Sequence, residues 1–473
     1  MQAPAPNLRN VAFVGHPAAG KTTLIESLIH LLGATERLGR VSEGTSLGDS
    51  EPEEHEKRHS LKWSVVHAAG RGFEWNLIDT PGYPDFEGEA RQGIYAADLV
   101  VGVVSLTSGV TLNLRRKLAF AQAMGKPRAI LVTHPDAEHG DFEALVRQLR
   151  SALGPTCVPA LLPDGLGKSF HGVHRAALDV QSPWRRALLD RVMDACDDEA
   201  LLERYLETQE LSEAELREHF PWALAKGTLV PILVCDPHTE LGVQQVLEFL
   251  ERAAPSPQCR SSFVRFGERV AARADAPLLG VVVGVRTDPH LGRLAMVRIQ
   301  QGVLAAHDSV VVLGEGARPE KLGGLFVPFG GRQKLPVEAL PAGALGLVAK
   351  LEQFTLGKSF GRPGEQPGGS LDYPPLPEPM AALAIRPKLR TDEHKIGPAL
   401  AKLALEDPTF RFEHEPRTHE LVVHGLSDLH LAISLQRLAR RFGVECESHT
   451  PKIAYRETLR RPAEATYRHK KQS

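Results

Sequence analysis

Apolar residues 11–14 (VAFV) form a short run, followed by a Gly-rich stretch and then a segment with Leu24, Leu28, Leu31 and Leu32 on one helical face. Gly33 ends that pattern. Further apolar runs at 75–78, 99–105 and 129–132 read as buried strands. Asp141 is placed to cap a helix with Phe142, Leu145 and Leu149 facing inward, and Gly154 closes it. Strands alternating with helices predict an α/β doubly wound sheet. Residues 157–225 interrupt that alternation with mostly helical sequence and read as an insert.

Two proline-rich breaks divide the remainder. Residues 254–257 (APSP) follow a helical pattern made by Val243, Val246, Leu247 and Leu250. Residues 363–379 hold six Pro and three Gly, a density that resists regular structure. These breaks predict a first domain at 1–258, a second at 259–362, a linker at 363–373 and a third domain at 374–450, with a tail at 451–473. In the second domain, runs at 278–285, 294–299 and 309–313 are β-rich and separated by Gly and Asp turns, which predicts a small all-β barrel. The third reads strand (381–385), helix (around 396–405), two strands (the second at 420–424), helix (429–442), strand. That is a compact α+β fold. No internal repeat is present.

Length agrees with this division, since 473 residues at ~150 per domain give about three domains. Lys+Arg 56 against Asp+Glu 58 excludes a globally basic nucleic-acid coat. The five cysteines are odd in number and widely spaced, so neither a disulfide framework nor a zinc site is indicated, and a reduced cytoplasmic setting is expected. The first ten residues carry no apolar signal segment, and no uncharged run approaches the ~18 residues needed to span a membrane.

The chemistry concentrates after the first strand. Gly15, His16, Pro17, Ala18, Ala19, Gly20, Lys21 and Thr22 match GxxxxGK[ST] between a strand and a helix, the context that makes a phosphate-binding loop. Successive N–H groups and the helix N-terminus face the anion, Lys21 adds a charge toward the β- and γ-phosphates, and the Thr22 hydroxyl can ligate Mg²⁺. Thr23 continues the motif. Asp79, Thr80, Pro81 and Gly82 close the strand at 76–78 about 60 residues on. An Asp there can hold Mg²⁺ through water, and Gly82 leaves the backbone able to approach and release a γ-phosphate.

With these motifs the chain resembles elongation factor G, the translational GTPase, and more closely the divergent second group of bacterial elongation factor G proteins. GHPAAGKTT from Gly15 and DTPGYPDF from Asp79 are similar to the family's GHxxxGKTT and DTPGHxDF. Thr287-Asp288-Pro289 with Gly292-Arg293 resembles the second-domain TDP…GR. Glu406-Asp407-Pro408-Thr409-Phe410, Leu429-His430-Leu431 and Ala454-Tyr455-Arg456-Glu457-Thr458 resemble the third domain and its exit. The resemblance covers nearly the whole chain. It implies a G domain with a helical insert, a β-barrel domain and a split βαβ (ferredoxin-like) domain. It also implies GTP/GDP and Mg as ligands, ribosome binding, no membrane, and action as a monomer. Ser60 matches the family's Mg²⁺-binding Thr, within a charge-rich stretch, 51–62, that reads alternatively as a solvated loop.

Four departures bear on function. Tyr83 replaces the family's water-orienting His; a phenol is neutral at pH 7 and differs from imidazole in charge and reach. The base-recognition motif NKxD reads Thr133-His134-Pro135-Asp136, in which Asp136 can accept from guanine, His134 can stack on it, and Thr133 is too short to copy an Asn amide. In the loop Cys235-Asp236-Pro237, Pro237 falls where an N–H donor is expected, and Pro has none; Asp236 adds charge beside it. A one-residue shift that lets another N–H serve is the alternative. Finally, residues 451–473 resemble the start of a fourth domain that goes no further here, and their seven Lys/Arg against two Glu could touch rRNA phosphates. The expectation is a Mg-dependent GTPase, slow without the ribosome, with Lys21 and Tyr83 serving the chemistry. The alternative is a ribosome-associated pseudo-GTPase that binds nucleotide with little hydrolysis and no translocation.

Overall fold

The computed structural model describes residues 7–470 except 49–50, 58, 260–262, 289, 315–317, 332, 366 and 459. Pro289 of the second-domain motif and the last three residues of the basic tail therefore lie outside the described residues. The chain forms two compact units. One holds residues 1–377 with 405–408; the other holds 378–404 with 409–473.

The larger unit begins with the doubly wound sheet. Strand β1 (Leu8–Gly15) leads into helix α1 (Lys21–Leu31), and a short helix α2 (Pro52–Lys57) precedes the hairpin of β2 (Ser64–Gly70) and β3 (Phe73–Asp79). Then follow α3 (Glu87–Ala96), β4 (Leu99–Ser105), α4 (Leu112–Ala123), β5 (Arg128–Thr133) and α5 (Phe142–Leu153). As expected, the Asp141 side chain caps α5 by accepting from Ala144 N–H, and Phe142, Leu145 and Leu149 are buried.

The insert departs from its expected helical character. Its first third is β: β6 (Cys157–Pro159) joins the main sheet, and β7 (Leu161–Asp164) pairs with β8 (Gly172–Arg175). Only then come helices α6 (Pro183–Met193), α7 (Glu199–Thr208) and α8 (Glu213–Lys226), before β9 (Val230–Val234) and α9 (Val243–Ala253). Strand order is β2-β3-β1-β4-β5-β9-β6, parallel except for the β2–β3 pair. Two other expectations change. Leu31 is exposed at the end of α1, because the core face is completed by Ile25 and Ile29. Within the charge-rich stretch at 51–62, residues 52–57 fold into α2 with Glu53 and Glu54 buried, so this part is not a solvated loop.

The β-rich part holds an eight-stranded sheet around the long antiparallel pair Leu279–Asp288 and Gly292–Gln301. It shares a core with the α/β part, in which Ala12, Trp63, Ile78 and Tyr95 pack with Val281, Met296 and Leu345. A buried ion pair, Arg298–Asp98 at 2.8 Å, bridges the two, and Asn10 Nδ2 donates to Asp98 at 2.6 Å. The described residues of the proline-rich stretch at 363–373 have no regular structure but are packed down: Leu371 is buried, and the Asp372 carbonyl accepts from the Tyr95 hydroxyl at 2.9 Å.

The smaller unit is a four-stranded antiparallel sheet in the order Arg411–Glu415, Glu420–Gly425, Ala381–Pro387, Cys446–His449, with helices Glu393–Glu406 and Asp428–Phe442. Its core gathers Ile385, Leu400, Phe410, Val423, Leu431 and Leu438.

Candidate functional site

The site forms where β1 and β3 end. Gly15 closes β1 beside β4, and a Cβ there would lie 2.4 Å from the Val103 carbonyl oxygen, so only glycine lets the loop leave the sheet this closely. Ala18 and Gly20 both take left-handed backbone (φ 58° and 85°), which turns successive N–H groups toward one side, the geometry of an anion nest. Ala19 N–H donates to the His16 carbonyl at 3.3 Å, and the His16 ring meets the Pro17 carbonyl at 2.8 Å. Lys21 is buried, and its Nζ folds under the loop to the His16 carbonyl at 3.1 Å.

The next residue starts a second cluster. Thr22 Oγ1 donates to Asp79 Oδ2 at 2.6 Å, and Ser60 Oγ lies 3.3 Å from both. The structure thus brings together the three residues expected around Mg²⁺, from α1, from the segment after α2 and from the end of β3. Asp79 Oδ1 is buried and accepts no hydrogen bond among the described residues. Burial pushes the Asp79 carboxyl up, opposed by the Lys21 charge and by the Thr22 and Ser60 hydroxyls. Two hydroxyls, one carboxylate and an unpartnered buried oxygen suit a small hard dication with oxygen ligands. Among the described residues no group of three or more His, Cys, Asp or Glu could hold a metal, so a carboxylate-rich or thiolate site is not the pattern here.

A cavity of about 220 Å³ opens above this cluster, lined by Pro17, Ala18, Gly20, Lys21, Thr22, Thr23, Val41, His59, Ser60, Gly82, Tyr83 and His134. Thr80 and Pro81 stay behind it, buried, with Thr80 Oγ1 donating to the Phe13 carbonyl at 2.6 Å. Gly82 presses on the phosphate loop: a Cβ would fall 2.5 Å from Pro17 N. Its carbonyl is gripped from α4, where Lys117 Nζ donates to Pro81 O at 2.6 Å and to Gly82 O at 3.3 Å, and Asn113 Nδ2 also donates to Gly82 O. Burial, then the nearby Lys21 charge, pull the Lys117 ammonium down to about 7, partly offset by Glu87 and Asp79. Tyr83 faces the cavity half-buried, its ring edge-on to His59 with centroids 5.0 Å apart and planes at 71°.

On the base side the expected residues separate. The Thr133 hydroxyl donates to the Ala19 carbonyl at 2.9 Å, tying β5 to the phosphate loop. It is also 3.1 Å from His134 Nδ1. His134 takes a left-handed φ of 57° and reaches the cavity; Asp136 is exposed and is not part of its lining. The Asp236 carboxylate does not stand free beside Pro237. It is buried and spent inside its own turn, accepting from His238 N–H at 3.0 Å and Thr239 Oγ1 at 2.5 Å. The Pro237 carbonyl accepts from Ser27 Oγ at 2.8 Å.

Sequence reasoning did not find Glu54, His59, Asn113 or Lys117. Buried Glu54 accepts from Leu61 N–H at 2.9 Å and Lys62 N–H at 3.0 Å, which shapes the segment carrying Ser60. A glutamate among glutamates carries no mark of burial. Asn113 and Lys117 stand one helical turn apart on α4, and only their contact with Gly82 distinguishes them.

Comparison with known proteins gives the family. Residues 6–256 match the family profile described as the elongation factor Tu GTP binding domain, residues 277–362 that of elongation factor G domain 2, and residues 376–450 that of elongation factor G, domain III. An elongation factor G-like protein of Mycobacterium tuberculosis is 31% identical over 505 residues, covering 98% of this chain and 70% of the relative. One of Thermotoga maritima is 30% identical over 489 residues, covering 99% and 70%. A crystal structure of a Thermus thermophilus protein superposes with a TM-score of 0.83 at 35% identity, over 95% of this chain and 68% of that one. No helix among the described residues is long and apolar enough to cross a membrane.

Proposed function

The chain belongs to the elongation factor G family of translational GTPases, and from that premise we propose that it binds GTP with Mg²⁺ at the β1–α1 loop and hydrolyses it in step with ribosome binding in the cytoplasm. The convergence of Thr22, Ser60 and Asp79 within 3.3 Å, beside an Asp79 oxygen with no hydrogen-bond partner among the described residues, carries this reading. In it the backbone of residues 15–20 cradles the phosphates, with Lys21 as their charge partner, and Thr22, Ser60 and Asp79 hold the metal, which neutralises phosphate charge when bound. Gly82 meets the terminal phosphate, and Tyr83 helps order water beside it. Thr133 ties the base loop to the phosphate loop, His134 stacks on the base and Asp136 accepts from guanine. The partners are the ribosome and guanine nucleotide, for a chain acting as a monomer.

A second reading has one observation in its favour: the side chain that follows Gly82 into the cavity is a tyrosine where the family has a water-orienting histidine. On that reading the protein is a ribosome-associated nucleotide binder with little hydrolysis. One experiment separates the two. Mg²⁺-dependent binding of a fluorescent guanine nucleotide and phosphate release are measured for wild type and Lys21→Ala, with and without 70S ribosomes. Loss of one charge-assisted contact, about 1.5–3 kcal/mol, weakens binding ~10–150-fold in the variant. Equal affinities would refute the phosphate-loop assignment. Binding without phosphate release in the wild type would favour the second reading.

A further inference from the structure

Hydrolysis requires a water held in line with the terminal phosphate, and the protein's part is mostly positioning. Lys21 is turned to the phosphate loop, Thr22 and Ser60 meet Asp79, and His134 meets Thr133 at the base side. Two rings, His59 and Tyr83, enter the cavity from different segments. His59 directly precedes Ser60 and Tyr83 directly follows Gly82, so each stands one residue from a group that the proposed reading sets beside the terminal phosphate.

They meet edge-on at 5.0 Å. Neither is loosely held. His59 N–H donates to the Glu54 carbonyl at 3.2 Å, and the Glu54 carboxylate holds the next two N–H groups beyond Ser60. Tyr83 follows a glycine packed on Pro17, whose carbonyl Asn113 and Lys117 retain. A ring nitrogen is a better hydrogen-bond acceptor for water than a phenol oxygen.

We propose that His59 supplies the imidazole that orients the attacking water, with the Tyr83 ring as the wall that fixes its rotamer. This deepens the GTPase reading above and rests on it. The water oxygen forms a bond to the γ-phosphorus while the bond from that phosphorus to the β–γ bridging oxygen breaks. The electron pair leaves with GDP, and the water's proton ends on inorganic phosphate.

The test compares kcat and KM for GTP by phosphate release at saturating Mg²⁺ and 70S ribosomes, with affinity for a non-hydrolysable GTP analogue measured alongside. His59→Phe keeps a ring against Tyr83 and removes both nitrogens. It is expected to lower kcat ~10²-fold, within the range for such groups, while KM and analogue affinity change by less than about threefold. His59→Phe/Tyr83→His returns an imidazole from the other side of the contact and is expected to recover at least ~10-fold of that loss. Should His59→Phe fail to bind the analogue, His59→Asn, polar but too short to span the cavity, carries the same expectation. Turnover of the imidazole-free variant equal to an active wild type would overturn the role of His59 and leave the GTPase reading intact. A wild type that binds the analogue but releases no phosphate, with or without ribosomes, would overturn both.

Discussion

Lys117→Met tests how the glycine after β3 is held. Lys117 is fully buried, donates to the Pro81 and Gly82 carbonyls, and has its ammonium pulled from an ordinary 10.5 to about 7, first by burial and then by Lys21. The sign follows from proton counting. Between pH 7 and 10.5 the unfolded chain keeps a proton that the folded chain has released, so stability rises with pH across that window. Below pH 7 both states are protonated and the full cost of the buried charge is present. Integrated from pH 7 to pH 9, this group adds about 2 kcal/mol to the unfolding free energy. Methionine has a similar shape and no proton to lose, so the variant should lack that increment. All four tryptophans (Trp63, Trp75, Trp184, Trp222) lie in the larger unit, so urea unfolding followed by tryptophan fluorescence reports on it alone. Lys126, also buried and lowered to about 7, is present in both proteins and cancels in the comparison. The expected result is a wild-type gain between pH 7 and 9 that exceeds the variant's by about 2 kcal/mol. Identical pH slopes would show that Lys117 keeps its charge in the folded protein and that the carbonyl grip is made by an ammonium at all these pH values.

Two further outcomes bear on the site. Asp79→Asn removes the only carboxylate of the Thr22–Ser60–Asp79 cluster, and should weaken the Mg²⁺ dependence of guanine-nucleotide binding by about 10–100-fold in a metal titration; an unchanged titration would remove Asp79 from the metal's surroundings. With Pro237 lacking an N–H and the Asp236 carboxylate committed to its own turn, preference for GTP over ATP and ITP in competition should fall well below the ~10⁴ that a fully hydrogen-bonded base site can reach. Strict exclusion of both competitors would mean that other backbone groups read the base.

Much of this protein was legible along the chain, because the determinants were local. The phosphate loop needs only a strand, a run of residues free to turn their N–H groups inward, and a helix start. GHPAAGKT states all three, and Gly15 and Gly20 stand where a side chain would collide or strain. The α5 cap at Asp141 and the strand–helix order of the smaller unit were legible for the same reason, as caps and periodicity act within a few residues. What escaped depended on partners far away in sequence. Leu31 continued an apolar pattern yet faces outward, since Ile25 and Ile29 already filled the surface that β1 and β3 offered. Glu54 looked like a solvated charge and is instead a buried acceptor for Leu61 and Lys62. The Arg298–Asp98 pair joins residues 200 apart, and no pattern in either neighbourhood announces it. His59 and Tyr83 are ordinary loop residues until the chain folds their segments over one cavity. Sequence by itself determined which backbone conformations and which faces were available. Tertiary packing decided which charges lost their water and which side chains met, because desolvation and contact belong to neighbours that only the folded chain supplies.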